Sequence, residues 1–258
     1  MLDGLADRLL ATFFFLCDIS EVITAAFRDA LLAIVQHRRE IFSVYLRQVY
    51  FSGLEALRIV LSMALAIGTV VIAQTISIAG GESGYLTGKL MTWIVIRELG
   101  PLLAAIIVIA RSGTAIATEL SQMKISGELE YIAGLGIPTE GYLVMPRIMG
   151  MTTALVMLTI YFEAAAIIGG FMIASLGWHV PYELYSQGVF SALTMGGVAA
   201  SLSKSALFGL VIAATCCRTG LIVGRSVTQI PQAATRGVMQ SLFLVLVLDG
   251  LLSLLYLV

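Results

Sequence analysis

Residues 59–81 read IVLSMALAIGTVVIAQTISIAGG and contain no charged side chain. Because a helix needs about 20 apolar residues to cross the hydrocarbon of a bilayer, this run is long enough for one complete crossing. The whole chain of 258 residues has the same character, with 59% hydrophobic residues, only 12% charged residues and a mean hydropathy of +0.98. Since an ordinary soluble domain is about 25% charged, this composition excludes a cytosolic enzyme, a secreted domain and a disordered chain. It predicts a polytopic membrane protein.

Five apolar stretches predict an all-α fold with five transmembrane helices in a single domain. The predicted spans are residues 54–79, 90–120, 142–176, 188–217 and 238–258. Residues 1–50 mix apolar and charged side chains near helical spacing, which predicts an amphipathic helix that lies in the membrane interface or packs on the spans. The second and third spans are separated by a polar, glycine-rich segment, residues 121–141.

Lysine and arginine are distributed unevenly over the connections between the spans. Ten of them lie in residues 1–50, 121–147 and 218–236, whereas the other side of the membrane would carry only Lys89. Cytoplasmic connections of membrane proteins are enriched in Lys and Arg. With five spans, this distribution predicts a cytoplasmic N-terminus and a C-terminus on the outer side.

Charged residues lie well inside the predicted spans: Arg97, Glu98, Glu163, Lys204 and Asp249. A charge at the centre of a spanning helix costs about 2.5–3.5 kcal/mol, so each of these needs a partner or water. Their formal sum is −1, which makes mutual pairing feasible, and Glu98 is the expected counter-charge of Lys204. They form either a polar centre that binds a substrate or transmits a conformational change, or an ion-pair network that only joins the helices.

A proline follows the first two of these charges in the second span, within Arg97-Glu98-Leu99-Gly100-Pro101. Because Pro101 has no N–H, the carbonyl of Arg97 loses its helical hydrogen bond, and the helix is expected to bend there. The bend would expose a polar carbonyl beside two charges.

The sequence predicts no enzymatic site. Residues 84–90, GYLTGKL, are similar to a phosphate loop but have one residue too few between the glycines and Leu90 in place of Ser or Thr. We therefore predict no nucleotide site in this chain, so that any ATP is bound by another subunit. The adjacent Cys216 and Cys217 match no metal spacing, and the net charge of −1 gives no field that would attract nucleic acid.

The chain also carries a series of short motifs. They are residues 47–50 (RQVY), 96–103 (IRELGPLL), 111–114 (RSGT), 118–120 (TEL) with Met123, 143–147 (LVMPR), 204–205 (KS) and 248–249 (LD). In order and spacing, these motifs resemble the MlaE/YrbE-type permease family, which comprises the membrane subunits of ABC transporters that work with MCE-domain lipid-binding proteins. The resemblance covers nearly the whole chain, and Glu163 lies outside its pattern.

The resemblance implies a homodimer of permeases with two cytoplasmic ABC ATPases, which bind the ATP and Mg. It further implies a periplasmic ring of MCE-domain protein and a phospholipid pocket between the permeases. The implied function is to move phospholipid between the inner membrane and the MCE protein, which maintains the lipid asymmetry of the outer membrane. The implied location is the inner membrane, with the N-terminus in the cytoplasm and the C-terminus in the periplasm.

Roles for individual segments follow from the same resemblance. Residues 1–50 would contain an interfacial elbow helix, and residues 122–137 would form the coupling helix that docks on the ATPase. The residues assigned to the lipid cavity and its polar centre are Arg97, Glu98, Lys204, Glu163, Asp249, Gln74, Val71 and Ile67. The residues assigned to ATPase coupling are Glu128, Glu130, Lys124 and Arg147.

Two other classes of function compete with a lipid permease. A secondary transporter or channel would use the buried charges as an ion path and would need no ATPase. Many secondary transporters are built from repeated halves, and this sequence contains no convincing internal repeat. A scaffold without transport activity is disfavoured by the charges within the spans.

Overall fold

The computed structural model describes residues 24, 39–79, 84–136, 139–178, 181–224 and 226–255. These residues are helical almost throughout and include no strand, so the predicted all-α membrane fold is confirmed. Within this described part of the chain, five helical stretches are long and apolar enough to cross a bilayer, and we refer to them as the first to fifth spans. They are Phe42–Ile78, Gly84–Ile125, Gly141–Met172, Met195–Leu221 and Val227–Leu255.

The first span begins earlier than the sequence predicts. Helix α1, Arg39–Val49, continues through a π-helical turn, Tyr50–Leu54, into helix α2, Glu55–Ala79. A single charge, Arg47, lies between residues 41 and 54, which is too little to end an apolar helix. Residues 42–50 therefore belong to the span. The predicted interfacial helix otherwise falls on residues 1–38, which, apart from Thr24, lie outside the described residues.

The second span changes its helical type twice. It consists of α3 (Gly84–Ile94), α4 (Gly100–Val108) and α5 (Thr114–Ile125), joined by π-helical turns at Val95–Leu99 and Ile109–Gly113. At the first turn, the N–H of Gly100 bonds the carbonyl of Val95, five residues earlier. Pro101 follows directly and has no N–H to continue the α-helical pattern. The disturbance predicted at this proline is thus a π-helical turn, a feature often found at functional sites.

The segment predicted as one coupling helix over residues 122–137 is divided in two. Residues 122–125 complete α5, and a separate helix α6, Glu128–Gly134, follows. Between them Gly127 has a φ of 79°, a left-handed conformation that glycine adopts without steric cost. The independent polar helix is therefore only seven residues long.

The fourth span begins later than predicted. Most of the third span is helix α7, Met145–Trp178. A separate helix α8, Tyr182–Ala192, follows it. The fourth span is helix α9, Met195–Leu221. The chain leaves the helical conformation at Leu193, whose ψ is 88°. Thr194 then caps α9, because its Oγ1 accepts the N–H of Gly197 at 3.2 Å. Hydropathy alone does not reveal this break, since the residues around it are apolar.

Helix α8 packs closely on α3 through two glycines. A Cβ atom placed on Gly88 would overlap the carbonyl oxygen of Tyr185, and one on Gly188 would overlap that of Tyr85. The two backbones can approach this closely only because both positions lack a side chain. The segment predicted as an extramembrane loop, residues 177–187, is thus largely part of a packed helix.

The fifth span also begins earlier than predicted. A 3₁₀ turn, Val227–Gln229, leads into helix α10, Ile230–Leu255. Pro231 lies in its first turn, where a missing N–H costs nothing and the fixed φ suits a helix. The polar residues after it, which predict a loop from composition, are the first turns of this helix.

The contacts divide the described chain into two compact units, neither of which is a continuous stretch of sequence. One unit lies within Met1–Val49, Ile109–Met151 and Leu210–Leu244, and the other within Tyr50–Val108, Thr152–Gly209 and Val245–Val258. The first unit contains the C-terminal ends of the second and fourth spans and the N-terminal ends of the third and fifth.

Candidate functional site

Lys204 is the centre of a charged cluster in the second of these units. This residue of the fourth span is buried. The ammonium lies 3.0 Å from Glu98 Oε2, 2.9 Å from Asp249 Oδ1 and 3.0 Å from Ser253 Oγ. Ser253 also donates to Glu98 Oε2 at 2.8 Å. The predicted pairing of Glu98 with Lys204 is confirmed, and Lys204 joins the fourth span to both the second and the fifth.

The same ammonium reaches the main chain of the second span. Lys204 Nζ donates to the carbonyl oxygen of Arg97 at 3.2 Å. This is the carbonyl that Pro101 leaves without its helical partner. The proline therefore creates an acceptor inside the membrane, and the buried lysine satisfies it.

The side chain of Arg97 takes a different direction from that of Glu98. Its guanidinium carbon lies 5.2 Å from the ring centroid of Trp93, and its Nε is 3.8 Å from Glu98 Oε1. The side chain stays 30% exposed, whereas that of Lys204 is 2% exposed. Because Arg97 and Lys204 carry two positive charges and Glu98 and Asp249 two negative ones, the formal charge of this cluster is zero.

Glu163 does not join the cluster. It lies in the third span, is 7% exposed, and accepts a hydrogen bond from the hydroxyl of Ser201 in the fourth span. A Cβ atom on Gly100 would lie 2.7 Å from Glu163 Cγ, so the glycine makes room for this side chain. The carboxyl group forms no ion pair with any residue that the structure describes. Glu163, assigned to the polar centre from sequence, instead makes a separate polar contact among three spans.

A cavity of about 450 Å³ opens beside the cluster. Its walls come from the second span, from α8 and from the start of the fourth span, and its polar lining includes Thr92, Arg97, Thr194, Ser201 and Lys204. The hydroxyl of Thr92 is buried and has no hydrogen-bond partner among the described residues. Ligand pockets have volumes of about 300–1,000 Å³, so the cavity is large enough for a small polar group.

The first-span residues assigned to the lipid cavity lie elsewhere. Ile67 and Val71 are half-buried and Gln74 is exposed, and none of the three lines this cavity. Their spacing of four and three residues places them along one face of α2. Their role in a lipid cavity stays a prediction.

The residues assigned to ATPase coupling have two different environments. Helix α6 has no buried residue and exposes Glu128 and Glu130 in its first turn, where acidic side chains are favourable. The hydroxyl of Ser126 donates to Glu128 Oε1 at 3.0 Å. Lys124, at the end of the second span, is half-buried and bonds the carbonyl oxygen of Leu221, at the end of the fourth.

Arg147 is buried rather than displayed. It is 5% exposed, forms an ion pair with Glu119 Oε1 at 2.9 Å and donates to the carbonyl of Leu143 at 3.0 Å. The pair with Glu119 joins the third span to the second. The guanidinium of Arg147 is therefore buried between two spans, and its role in ATPase coupling stays a prediction.

The family model described as Permease MlaE matches residues 45–255. The chain belongs to the MlaE permease family. This match includes the spans from residue 45 onward and every residue of the charged cluster, and it confirms the resemblance seen in the sequence. The permease is thus a multi-pass membrane protein of this family.

Three relatives show how far the likeness extends. A probable ABC transporter permease protein of Rickettsia typhi is 27% identical over 214 residues, which is 82% of each chain. A probable ABC transporter permease protein of Synechocystis is 27% identical over 81% of the permease and 80% of the relative. The chloroplast protein TRIGALACTOSYLDIACYLGLYCEROL 1 of Arabidopsis thaliana is 26% identical over 61% of the permease and 45% of the relative.

Sequence reasoning missed the neutral members of the permease's site. Ser253 and Ser201 contact the charged groups, although neither was singled out. Helical spacing could have found both, because Ser253 follows Asp249 by four residues and Ser201 precedes Lys204 by three, so that each pair shares a helix face. Trp93 precedes Arg97 by four residues, so the same spacing places its ring beside the Arg97 side chain.

Proposed function

We propose that this permease is the membrane subunit of an ABC transporter that moves phospholipid. The observation that carries the proposal is the cavity beside the Lys204 cluster, which is lined by the exposed part of a charged centre within apolar spans. Family membership supports it, as do the names of the Rickettsia and Synechocystis relatives. The name of the Arabidopsis relative contains that of a diacylglycerol lipid.

Arg97 is the residue best suited to bind a phosphate headgroup in this cavity. Lys204 is already neutralised by two carboxylates, whereas the guanidinium of Arg97 is 30% exposed and lies over Trp93. A guanidinium matches the geometry of phosphate and can form two parallel hydrogen bonds with it. In the proposal, Lys204 holds the three spans together and Arg97 contacts the lipid.

The exposed faces of the spans would accommodate the acyl chains. The fifth span is mostly unburied: only 11% of its most apolar 18-residue stretch lies inside the protein. Its exposed side chains include Phe243, Leu251 and Leu254. An apolar helix face of this kind is covered either by lipid or by another apolar helix. We propose that a second copy of the permease and the transported phospholipid together cover it, as the resemblance implies.

The energy for transport would come from a cytoplasmic ABC ATPase that binds the ATP and Mg. Helix α6 has no buried residue and carries the exposed Glu128 and Glu130, which suits insertion into a groove on the ATPase. Lys124 fastens the adjoining end of the second span to the carbonyl of Leu221. Because α9 contains both Leu221 and Lys204, displacement of α6 would be passed to the helix that carries the charged centre.

The remaining parts of the proposal rest on the resemblance and on the distribution of Lys and Arg. They are an inner-membrane location, a cytoplasmic N-terminus, a periplasmic C-terminus and a periplasmic ring of MCE-domain protein. In this arrangement the permease would exchange phospholipid between the inner membrane and the MCE protein and so maintain the asymmetry of the outer membrane.

The test is transport by the complete complex in proteoliposomes that contain a fluorescent phospholipid. We expect ATP-dependent movement of lipid, and we expect Arg97→Gln to slow it at least tenfold with an unchanged amount of assembled complex. Arg58→Gln, at an exposed position of the first span, is the matched control and should leave the rate unchanged. Lipid movement that persists without the ATPase, or ion transport driven by a gradient, would refute the proposal.

A further inference from the structure

Glu163 lies in the same compact unit as the Lys204 cluster but outside the cluster itself. It is 7% exposed in the third span and accepts a hydrogen bond from the hydroxyl of Ser201. It forms no ion pair with any residue in the described part of the chain. A carboxylate within a span is costly unless it has a cation, and such residues commonly mark binding sites. Glu163 is therefore a candidate for a contact that a ligand completes.

Ser201 connects Glu163 to the cavity of about 450 Å³ beside Lys204. Ser201 lines this cavity, whereas Glu163 lies behind it. A hydroxyl has one hydrogen to donate and two lone pairs that accept. Because the hydrogen of Ser201 is donated to Glu163, only the lone pairs remain for a group in the cavity. This wall of the cavity therefore accepts hydrogen bonds, and an acidic group stands behind it.

Another wall of the cavity has the opposite polarity. Gly196 and Gly197 line it at the start of α9, where main-chain N–H groups lack helical acceptors and favour an anion. A Cβ atom placed on Gly196 would meet no neighbouring atom within 4 Å, so the main chain is open there. Arg97 lines the same cavity. Arg97 and the start of α9 thus form the part of the cavity that suits a phosphate.

The two walls are close enough to contact one headgroup. From Gly197 to Ser201, helix α9 rises by about 6 Å, at 1.5 Å per residue. In a phosphoethanolamine group, a link of two carbon atoms separates the phosphate from the ammonium, and the group spans a distance of this order. The cavity therefore offers sites for a negative and a positive group at the spacing of a zwitterionic headgroup.

Thr92 indicates independently that a ligand completes the cavity. It lines the cavity and is fully buried, and its hydroxyl has no hydrogen-bond partner among the described residues. Buried polar groups are almost always hydrogen-bonded, so this hydroxyl needs a partner that the chain itself does not supply. The phosphate and ester oxygens of a lipid headgroup would accept its hydrogen.

We propose that the cavity selects a phospholipid whose headgroup ends in a primary ammonium. The phosphate lies against Arg97 and the start of α9. The ammonium donates to Ser201 Oγ, and the carboxylate of Glu163 behind this hydroxyl is its counter-charge. The inference rests on the proposed function, because it takes the transported molecule to be a phospholipid.

The wall formed by Ser201 distinguishes among headgroups that share the phosphate. A choline headgroup has no N–H, so it cannot donate to Ser201, and its three methyl groups keep its charge farther from Glu163. A glycerol headgroup has hydroxyl donors but brings no cation to the carboxylate. An ethanolamine headgroup supplies both the donor and the charge.

Native mass spectrometry of the full-length permease in detergent tests the proposal by titration with phosphatidylethanolamine and phosphatidylcholine that have the same acyl chains. We expect phosphatidylethanolamine to bind about tenfold more tightly, the usual effect of a hydrogen bond that involves a charged group. Glu163→Gln removes the charge at nearly constant size, and Ser201→Ala removes the acceptor. Both variants should bring the ratio of the two affinities close to one by weakening the binding of phosphatidylethanolamine alone.

Ser205→Ala is the matched control. Ser205 lies one turn further along α9, and its hydroxyl bonds Thr159 Oγ1 in the third span at 2.9 Å, but it does not line the cavity. This variant removes a contact between the same two spans and should leave the ratio of affinities unchanged. Because the ratio compares two lipids on one variant, it does not depend on how much of that variant folds.

Three outcomes would overturn the assignment. The first is equal binding of the two lipids by the unchanged permease. The second is an unchanged ratio in Glu163→Gln and Ser201→Ala, which would mean that their contact only joins two helices. The third is binding of phosphatidylglycerol as tight as that of phosphatidylethanolamine, which would mean that no cation is recognised. Failure to bind any of these lipids would instead refute the proposed function and this site with it, so the two failures are distinguishable.

Discussion

The ammonium group of Lys204 lies 3.2 Å from the carbonyl oxygen of Arg97, the acceptor that Pro101 leaves without an N–H donor. A proline in one span and a lysine in another are thereby parts of one arrangement. The lysine satisfies a main-chain group that would otherwise be buried without a hydrogen bond. The proline in turn gives the lysine a neutral contact in addition to its two carboxylates.

Replacing Pro101 should weaken the contact between Lys204 and the carbonyl of Arg97. In Pro101→Ala the new N–H can bond the carbonyl of Arg97 and compete with Lys204, and the π-helical turn at Val95–Leu99 is no longer required. We expect slower lipid transport with an undiminished amount of folded permease. Pro231→Ala is the control, because Pro231 lies in the first turn of α10, where a missing N–H costs nothing and no cluster residue is affected. Equal rates for the two variants would contradict the prediction.

Removal of the charges should have a definite order of effects. Lys204→Ala leaves Asp249 without its cation and Glu98 with Arg97 alone, and it should cost about 3–5 kcal/mol of folding free energy. Glu98→Ala and Asp249→Ala should each cost less, because Lys204 keeps the other carboxylate. The double variant of both carboxylates should cost more than the sum of the two single variants. Unfolding in mixed detergent micelles measures these free energies, and additive values would show that Glu98 and Asp249 do not act together on Lys204.

An exchange of charges provides a second test of the same contacts. In Glu98→Lys combined with Lys204→Glu, the new glutamate faces Asp249, so little recovery is expected. Adding Asp249→Asn removes this repulsion and should raise the amount of folded permease. Recovery by the double exchange alone would mean that Asp249 contributes little.

The close approach of Gly100 and Glu163 should make the glycine sensitive to enlargement. A Cβ at residue 100 would lie 2.7 Å from Glu163 Cγ and 3.0 Å from the carbonyl oxygen of Val95. Gly100→Ala should therefore destabilise the permease by about 1–3 kcal/mol, the usual cost of overpacking. A shortened partner, Glu163→Ser, should restore part of the loss. Gly250→Ala is the control, since no heavy atom lies within 4 Å of its Cβ position, and it should not lower the melting temperature.

Charge reversal on α6 should weaken the association with the ATPase. Glu128→Lys with Glu130→Lys changes only exposed positions, so we expect a folded permease that retains less ATPase on purification. Glu183→Lys, in the first turn of α8, is the control, because it makes the same change at another exposed helix start. Arg147→Gln should instead lower the amount of folded permease, because it breaks a contact between spans. Normal ATPase retention in the α6 variant would refute the coupling assignment.

The number of spans and the main charged pair could be predicted because both follow from local properties of the sequence. An apolar run of sufficient length must cross the bilayer, and Glu98 and Lys204 are at comparable depth when residues are counted along their helices. The position of Glu163 could not be predicted in this way. Glu163 is also deep in a span, but the rotation of the third span about its axis turns this side chain toward Gly100 and Ser201. That rotation depends on packing among several helices.

The ends of the helices were predicted less well than their centres. Hydropathy does not register the break at Leu193 and Thr194, because the flanking residues are as apolar as a span. It also assigns the polar start of α10 to a loop, although Pro231 indicates a helix start there. Arg147 was assigned to ATPase coupling from the family resemblance, and its burial was not predicted. Its burial depends on Glu119, a partner that only the folded chain brings near.

The zero sum of the four charges around Lys204 has an electrical consequence. One elementary charge that crosses a potential of 100 mV exchanges about 2.3 kcal/mol with the field. Arg97 and Lys204 balance Glu98 and Asp249, so a movement that carries the four side chains together displaces no net charge and exchanges no energy with the membrane potential. The movement of the cluster is then electrically silent, and any voltage dependence of transport comes from charges outside the cluster, such as Glu163, or from the charge of the transported molecule.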